Sequence, residues 1–204
     1  MIPQELLRER IATVRKVAPL TSDRAILEHA RLAVVNLVVM IRGLNRAITG
    51  TEAQIASLFA EHPDAPIFSS FPGAGEALAP RLAGAYGTDR DKYHGAEDMQ
   101  RLSGIAPVTR ASGKMRSVQM RWACPKFLRQ TFHEFAQASV RYSPWAKAYV
   151  AMRKAEGHRH HEIIRGLAFK WQRILTRCWK NRQCYDELRY IERRRQSASK
   201  LIAH

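Results

Sequence analysis

The sequence predicts a mainly α-helical protein in which a long, coiled-coil-like helical arm precedes a compact helical domain. Apolar residues recur between Ile26 and Leu58 at steps that mostly alternate between three and four, which places them along one side of an α-helix. Most of the remaining chain also has helical composition, and only the stretch from Met115 to Met120 alternates as a strand does. We expect three regions: a helical arm at 1–62, a C-terminal domain at 63–196 and a frayed basic tail at 197–204.

The arm should contain two helices. Residues 3–18 have helical composition, and residues 19–23 then supply a break and a new helix start. The apolar seam of the second helix shifts by one residue near Met40, and residues 49–51 are a candidate interruption. Such a seam is typical of helix–helix association, within the chain or between subunits. A long helix packed on its own domain fits the pattern equally well.

The C-terminal domain should begin after a linker. Residues 62–66 include two prolines, which cannot continue a helix. Further along the chain, composition and periodicity indicate a series of helices. These are expected at 76–86, 96–103, 125–142, 144–156, 160–180 and 182–196.

The charge of the chain indicates an anionic partner. Its 204 residues include 34 Lys and Arg against 18 Asp and Glu, giving a formal net charge of +16. Nucleic acid comes first among anionic partners, because neutralising its phosphates releases counterions. Charge kept only for solubility is the alternative, but the excess is far above the magnitude of about 2–8 that colloidal stability needs.

The cysteines and the apolar runs predict a cytoplasmic location and no membrane span. Cys124, Cys178 and Cys184 have no paired spacing, so they suggest neither a disulfide framework nor a zinc site. The N-terminal residues lack the basic-then-apolar layout of a secretory signal. The most apolar run, residues 33–41, is shorter than the roughly 20 residues of a membrane helix.

A glycine-rich turn at residues 71–75 is the first candidate binding motif. Gly73 and Gly75 allow close approach of the backbone, and their N–H groups would lie at the start of a helix, where a phosphate binds well. No Gly-Lys-Ser/Thr follows, so the turn is not a Walker loop. It resembles the hairpin of helix-hairpin-helix modules, which hold the DNA backbone. A plain helix-joining turn is the alternative.

Ser112 is the candidate catalytic residue. A serine hydroxyl needs activation, or stabilisation of the charge that develops at its target. Gly113 would leave the hydroxyl accessible, and nearby cations would bind a phosphodiester and its transition state. A basic surface turn without catalysis is the alternative. The cations expected to bind nucleic acid are Arg110, Lys114, Arg116, Arg121, Lys126 and Arg129.

Two clusters near the C-terminus each allow two interpretations. Residues 157–162 contain three histidines and a glutamate, but no second ligand group has a matching spacing, so we favour a polar helix start over a metal site. Trp171 and Trp179 lie among basic residues that could grip RNA or stack on bases. A buried stripe with a solvated basic face is the simpler interpretation.

Several sequence blocks occur in an order that resembles a known family. Phe-Pro-Gly-Ala-Gly at 71–75, Gly-Ile-Ala-Pro at 104–107 and Ser-Gly-Lys at 112–114 are followed by Arg-Trp-Ala-Cys-Pro-Lys-Phe-Leu-Arg at 121–129. Together they resemble the C-terminal domain of insertion-sequence transposases of the IS110 type, the bridge-RNA-guided DNA recombinases. The resemblance covers about residues 30–190.

The resemblance implies an activity and partners. In that family a serine of this domain attacks a DNA phosphodiester and holds the strand as a phosphoserine, and Ser112 occupies the matching position. A RuvC-like N-terminal domain with four acidic residues binds divalent metal, so Mg²⁺ is expected there and no cofactor on this chain. DNA is the implied partner, with a guide RNA as a further one. A helical arm mediates subunit association, and residues 22–62 occupy its place, which implies a homo-oligomer.

The sequence departs from the family pattern at its N-terminus. Nothing before Glu28 could fold as a metal-binding sheet domain, so we expect a truncated copy, a separately encoded half or a fragment. The isolated chain is then expected to be inactive without an acidic domain. The alternative function is a non-catalytic DNA- or RNA-binding helical module or a transposase remnant. Exposure of Ser112 in a basic concavity, with room for a phosphate and for an acidic partner domain, would favour catalysis. A buried hydroxyl that caps a helix would favour binding alone.

Overall fold

The computed structural model describes residues 3–113 and 115–202, without the side chains of residues 110, 116, 194 and 197–202. The described chain is mainly α-helical, as predicted. It divides into two compact units, Met1–Thr51 and Glu52–His204. Its elements are α1 (Gln4–Lys16), α2 (Arg24–Ala60), α3 (Ala65–Ser69), α4 (Gly75–Tyr86), α5 (Ala96–Leu102), β1 (Val108–Ser112), β2 (Met115–Gln119), α6 (Lys126–Tyr142), α7 (Pro144–Ala155), α8 (His160–Lys180) and α9 (Glu187–Ile202).

The predicted helix start after residue 23 is confirmed. The Asp23 carboxylate accepts a hydrogen bond from Ala25 N at 2.8 Å, so it caps the first turn of α2. The predicted interruption at 49–51 is wrong, because α2 continues to Ala60. Gly50 costs an isolated helix only about 1 kcal/mol relative to alanine, and the Thr51 hydroxyl donates to Ala47 O at 2.9 Å within the helix.

None of the residues of α2 is buried. Its length and apolar composition would by themselves allow it to cross a membrane, since apolar residues extend beyond 33–41. However, Arg31 and Arg42 lie only about 16 Å apart along the helix axis. The apolar stretch between them is therefore about half the thickness of a bilayer core of roughly 30 Å. This spacing favours helix–helix association.

The predicted linker at 62–66 is partly helical. α3 begins at Ala65 and has a proline in its first turn, where the missing N–H of proline breaks no helical hydrogen bond. Asp64 O accepts from Ile67 N and Phe68 N, which closes this turn. The linker interpretation was wrong here because a proline at the start of a helix was taken as a breaker.

α8 is the central helix of the core. Its buried face includes Leu167, Trp171, Leu175 and Trp179, so the buried-stripe interpretation of the tryptophans is confirmed. Both indole N–H groups have hydrogen-bond partners: Trp171 Nε1 donates to the buried Ser139 Oγ at 2.7 Å, and Trp179 Nε1 donates to Gly87 O at 2.9 Å. These bonds remove the cost of burying the polar edge of each ring.

β1 and β2 form an antiparallel hairpin in which Ser112 pairs with Met115 and Val108 with Gln119. The alternation of residues 115–120 predicted only the second strand. β1 was missed because residues 108–112 combine an arginine, an alanine and a serine with little alternation. A strand of this kind is stabilised by its partner, and its own propensity is weak.

The C-terminal helix differs from expectation at both ends. α9 begins at Glu187, where the sequence predicts a start near 182, because residues 181–186 form a turn in which Arg182 has a φ of 52°. The Asp186 carboxylate then accepts from Arg189 N at 3.0 Å and caps the new helix. The helix continues through residues 197–202, for which a frayed tail was expected. No proline or glycine interrupts that segment.

Candidate nucleic-acid interface

Ser112 lies at the tip of the β-hairpin. It is the last residue of β1, and the hairpin turns through Gly113, whose φ of 54° favours glycine. Ser112, Met115, Ser117 and Val118 are all exposed. The hydroxyl is therefore not buried and caps no helix. This exposure meets one part of the condition for catalysis. A basic concavity around the hydroxyl stays a prediction, because Lys114 and the side chains of Arg110 and Arg116 lie outside the described residues.

Only some of the candidate phosphate-binding cations can be placed. Lys114 lies outside the described residues, and so do the side chains of Arg110 and Arg116. Lys126 is exposed at the first position of α6, and Arg121 is half-buried in the segment that joins β2 to α6. Both residues follow the hairpin in the chain.

Arg129 is engaged within the protein. Its guanidinium donates to Arg121 O at 2.6 Å, to Trp122 O at 3.1 Å and to Cys124 Sγ at 2.6 Å. It therefore fixes the segment that connects the hairpin to α6. These bonds give Arg129 a positioning role for that segment, and the direct contact with phosphate that the sequence suggested stays a prediction.

Trp122 was not selected by sequence reasoning as a site residue. Its side chain is 78% exposed, although its carbonyl is held by Arg129. An exposed tryptophan on a fixed backbone is typical of an interaction surface. The signal available in the sequence was its position among cations in the 121–129 block.

Gly73 has a packing role. A Cβ atom built at this position would lie 2.8 Å from the carbonyl carbon of Ala138 and 2.9 Å from Ser139 N, and φ is +82°. The close approach of this glycine is therefore to the α6 backbone. Gly75 is exposed, and a Cβ there would meet nothing within 4 Å. Phosphate binding by this turn stays a prediction. Gly75 is the glycine of the turn that has free space beside its backbone.

The histidine cluster forms local polar contacts. His158 Nδ1 lies 2.9 Å from Glu162 Oε1, close to the start of α8, as expected for a polar helix start. Within residues 3–113 and 115–202, no three His, Cys, Asp or Glu side chains come together in a way that could hold a metal ion. We derive no metal-dependent step from these residues.

Comparisons with known proteins agree with the ordered sequence blocks. Residues 65–151 match the family model described as Transposase IS116/IS110/IS902 family. The mini-circle putative transposase for IS117 of Streptomyces coelicolor is 33% identical over 135 residues, which cover 66% of this chain and 33% of the relative. Residues 65–151 therefore correspond to the transposase domain of the IS116/IS110/IS902 family.

Two further relatives carry names from the same group of insertion elements. The IS900 uncharacterized 42 kDa protein of Mycobacterium paratuberculosis is 27% identical over 157 residues, which cover 76% of this chain and 39% of the relative. The IS110 uncharacterized 43.6 kDa protein of Streptomyces coelicolor is 25% identical over 138 residues, which cover 67% of this chain and 34% of the relative. The chain thus spans about a third of the length of the curated relatives it matches.

The segment that matches the IS116/IS110/IS902 family model contains most of the candidate interface. Residues 65–151 include the glycine turn, the hairpin with Ser112 and the segment held by Arg129. They end before α8 and α9. A groove between these two helices, which we call the α8/α9 groove, has a volume of about 620 Å³. It therefore lies outside the part of the chain that the family model matches.

The two cysteines of the α8/α9 groove should differ in reactivity. Burial raises the pKa of Cys178 to about 11, whereas Cys184 is exposed. Since the thiolate is the reactive form, only about one Cys178 in a thousand would be reactive at pH 8. We expect a thiol reagent to label Cys184 before Cys178, as measured by peptide mapping over time. Equal rates at the two cysteines would contradict this description of the groove.

Proposed function

We propose that this chain acts in DNA transposition and recombination, as the part of an IS110-type transposase that presents a serine nucleophile to DNA. The observation that carries the proposal is the exposure of Ser112 at the hairpin tip. The match to the transposase family model and the formal net charge of +16 support DNA as the substrate.

The proposed step exchanges one phosphodiester for another. Ser112 Oγ attacks the phosphorus, the bond from phosphorus to one deoxyribose oxygen breaks, and a DNA–phosphoserine diester forms. The serine proton is lost and the leaving deoxyribose oxygen gains one. A hydroxyl of a second DNA strand then attacks the same phosphorus and releases Ser112, so no net bond energy is consumed.

The described cations would position the DNA backbone and stabilise charge. Arg121 lies on the segment between the hairpin and α6, and Lys126 is the first residue of α6. Both would face the phosphates that flank the attacked one. Arg129 holds the backbone of that segment. Such preorganised donors cost no rearrangement during the reaction. The acidic, metal-binding domain that the family resemblance implies would supply the group that accepts the serine proton.

A trans-complementation experiment tests the proposal. The acidic half of a full-length relative is added to this chain with magnesium and labelled duplex DNA, and covalent adducts are separated on a denaturing gel. We expect an adduct only when both halves are present. If DNA is retained but never becomes covalent, the alternative function, a non-catalytic DNA- or RNA-binding module, replaces this one. The formal net charge of +16 supports nucleic-acid binding in both functions, so the adduct decides between them.

We further propose that α2 associates subunits through its apolar seam. Leu37 is 56% exposed and Leu44 is 63% exposed, and burying each leucine would contribute about 1.5–3 kcal/mol. The double variant Leu37→Lys/Leu44→Lys should therefore shift the protein to monomers in sedimentation experiments.

The control variant changes the opposite side of the same helix. Val35→Lys/Val39→Lys adds the same charge to exposed apolar positions off the seam. Its oligomeric state should match that of the original chain. Equal dissociation of the two variants would mean that added charge, and not the seam, controls association.

A further inference from the structure

The α8/α9 groove carries positive charge from both helices. Arg173 and Arg177 line it from α8, and Arg189 lines it from α9. All three side chains are exposed. None of the three forms an ion pair with a described carboxylate, so their charges are available to a ligand. Three such guanidinium groups around one concavity form a site for several phosphates.

Among the described residues that line the groove, Asp186 is the single carboxylate, and it caps α9. One oxygen of Asp186 accepts a hydrogen bond from Arg189 N at the start of α9. This interaction serves the helix cap. The three arginines outnumber this one carboxylate, so the net charge that faces the groove is positive and a negatively charged ligand is favoured.

The walls of the groove are aromatic and held in place. Tyr185 stacks on Phe71 with ring centroids 5.1 Å apart. Its hydroxyl accepts from Trp145 Nε1 at 2.9 Å and donates to a Glu187 oxygen at 2.8 Å. Tyr190 also lines the groove and packs on Trp145 with centroids 5.1 Å apart. Phosphate-binding arginines beside aromatic rings are the combination that single-stranded nucleic acid requires.

We propose that the α8/α9 groove binds a short segment of single-stranded nucleic acid through its sugar–phosphate backbone. The volume of about 620 Å³ lies within the roughly 300–1,000 Å³ of pockets that enclose small ligands. Such a groove encloses a nucleotide or two of a single strand, and a double helix does not enter it. The inference rests on the proposed function in one respect: it takes nucleic acid to be the polyanion that this chain binds.

Fluorescence anisotropy of the full chain tests the proposal. The probes are labelled oligothymidylate and oligouridylate of about eight nucleotides, within the usual range of single-strand site sizes. In Arg173→Gln/Arg177→Gln/Arg189→Gln we expect at least tenfold weaker binding. Each single-strand phosphate contact contributes about 0.7 to the log–log salt slope, so the slope should fall by about 2. The ratio of the two affinities shows whether DNA or RNA is the ligand.

The matched control removes the same number of arginines elsewhere. Arg8→Gln/Arg10→Gln/Arg15→Gln changes exposed side chains of α1 and should leave the salt slope nearly unchanged. If both triple variants lose affinity and slope equally, net charge explains binding and the proposal is overturned. The same conclusion follows if a polyglutamate peptide of equal charge competes as well as the oligonucleotide.

A single replacement and a second assay keep the outcomes separate. Should the triple variant unfold in a thermal melt, Arg177→Gln alone should still lower the salt slope by about 0.7, and an unchanged slope would reject the groove. Adduct formation is measured separately, in the trans-complementation assay. Loss of specific oligonucleotide binding with normal adduct formation would reject only the groove proposal. Loss of adduct formation with normal oligonucleotide binding would reject only the proposed function.

Discussion

Replacing Ser112 with alanine is expected to abolish the covalent protein–DNA adduct and to leave DNA retention nearly unchanged. Alanine removes the only atom that would bond to phosphorus, and the exposed position means that no packing is lost. The measurement is the trans-complementation assay, read both on a denaturing gel for the adduct and on a native gel for retention.

Ser117→Ala is the matched control for this prediction. Ser117 lies on the second strand of the same hairpin, is also exposed, and stands two register positions from Ser112. Because cross-strand partners share a face and strand positions alternate, both serines lie on one face of the hairpin. The control should form adduct at the original level. Equal loss of adduct and retention in Ser112→Ala would indicate a binding role instead.

Replacing Gly73 with alanine should destabilise the helical domain by about 2–5 kcal/mol. The new Cβ would lie 2.8 Å from the Ala138 carbonyl carbon in the α6 backbone, and φ is +82°. Overpacking typically costs about 1–3 kcal/mol, and a left-handed backbone adds roughly 1–2 kcal/mol for a residue with a Cβ. Urea denaturation, followed by circular dichroism, measures the change.

Gly84→Ala should have the opposite effect on stability. Gly84 lies within α4, and a Cβ there would meet nothing within 4 Å. Alanine in a helix interior stabilises it by about 0.5–1 kcal/mol relative to glycine. A Gly73→Ala variant as stable as the original chain would contradict the packing role. Gly73 would then be free to act as the phosphate-binding residue that the sequence suggested.

Local signals in the sequence predicted most helices well. The stripe on α8 was visible because its apolar residues follow the helical period, and the helix is long enough for the period to be clear. α3 and β1 were missed for a shared reason. Each has only five residues, so its conformation depends on partners distant in sequence or on a cap that composition does not reveal.

The sequence indicated where the candidate site lies, but it did not indicate which of its residues bind and which position the others. The ordered blocks identified Ser112, and the structure exposes it at a hairpin tip. The role of Arg129 depends on a turn that returns the 121–124 backbone to the side chain. The role of Gly73 depends on α6, more than 60 residues along the chain. Neither contact has a signature in local sequence.

Peptide mapping of the trapped adduct tests the central claim most directly. After nuclease treatment leaves a nucleotide remnant on the protein, trypsin should release residues 111–114 and 117–121 as separate peptides, since each follows an arginine and ends at a lysine or arginine. We expect the remnant on the 111–114 peptide, which contains Ser112. A remnant on any other peptide, or none in a complete digest of the adduct, would contradict the assignment of Ser112 as the nucleophile.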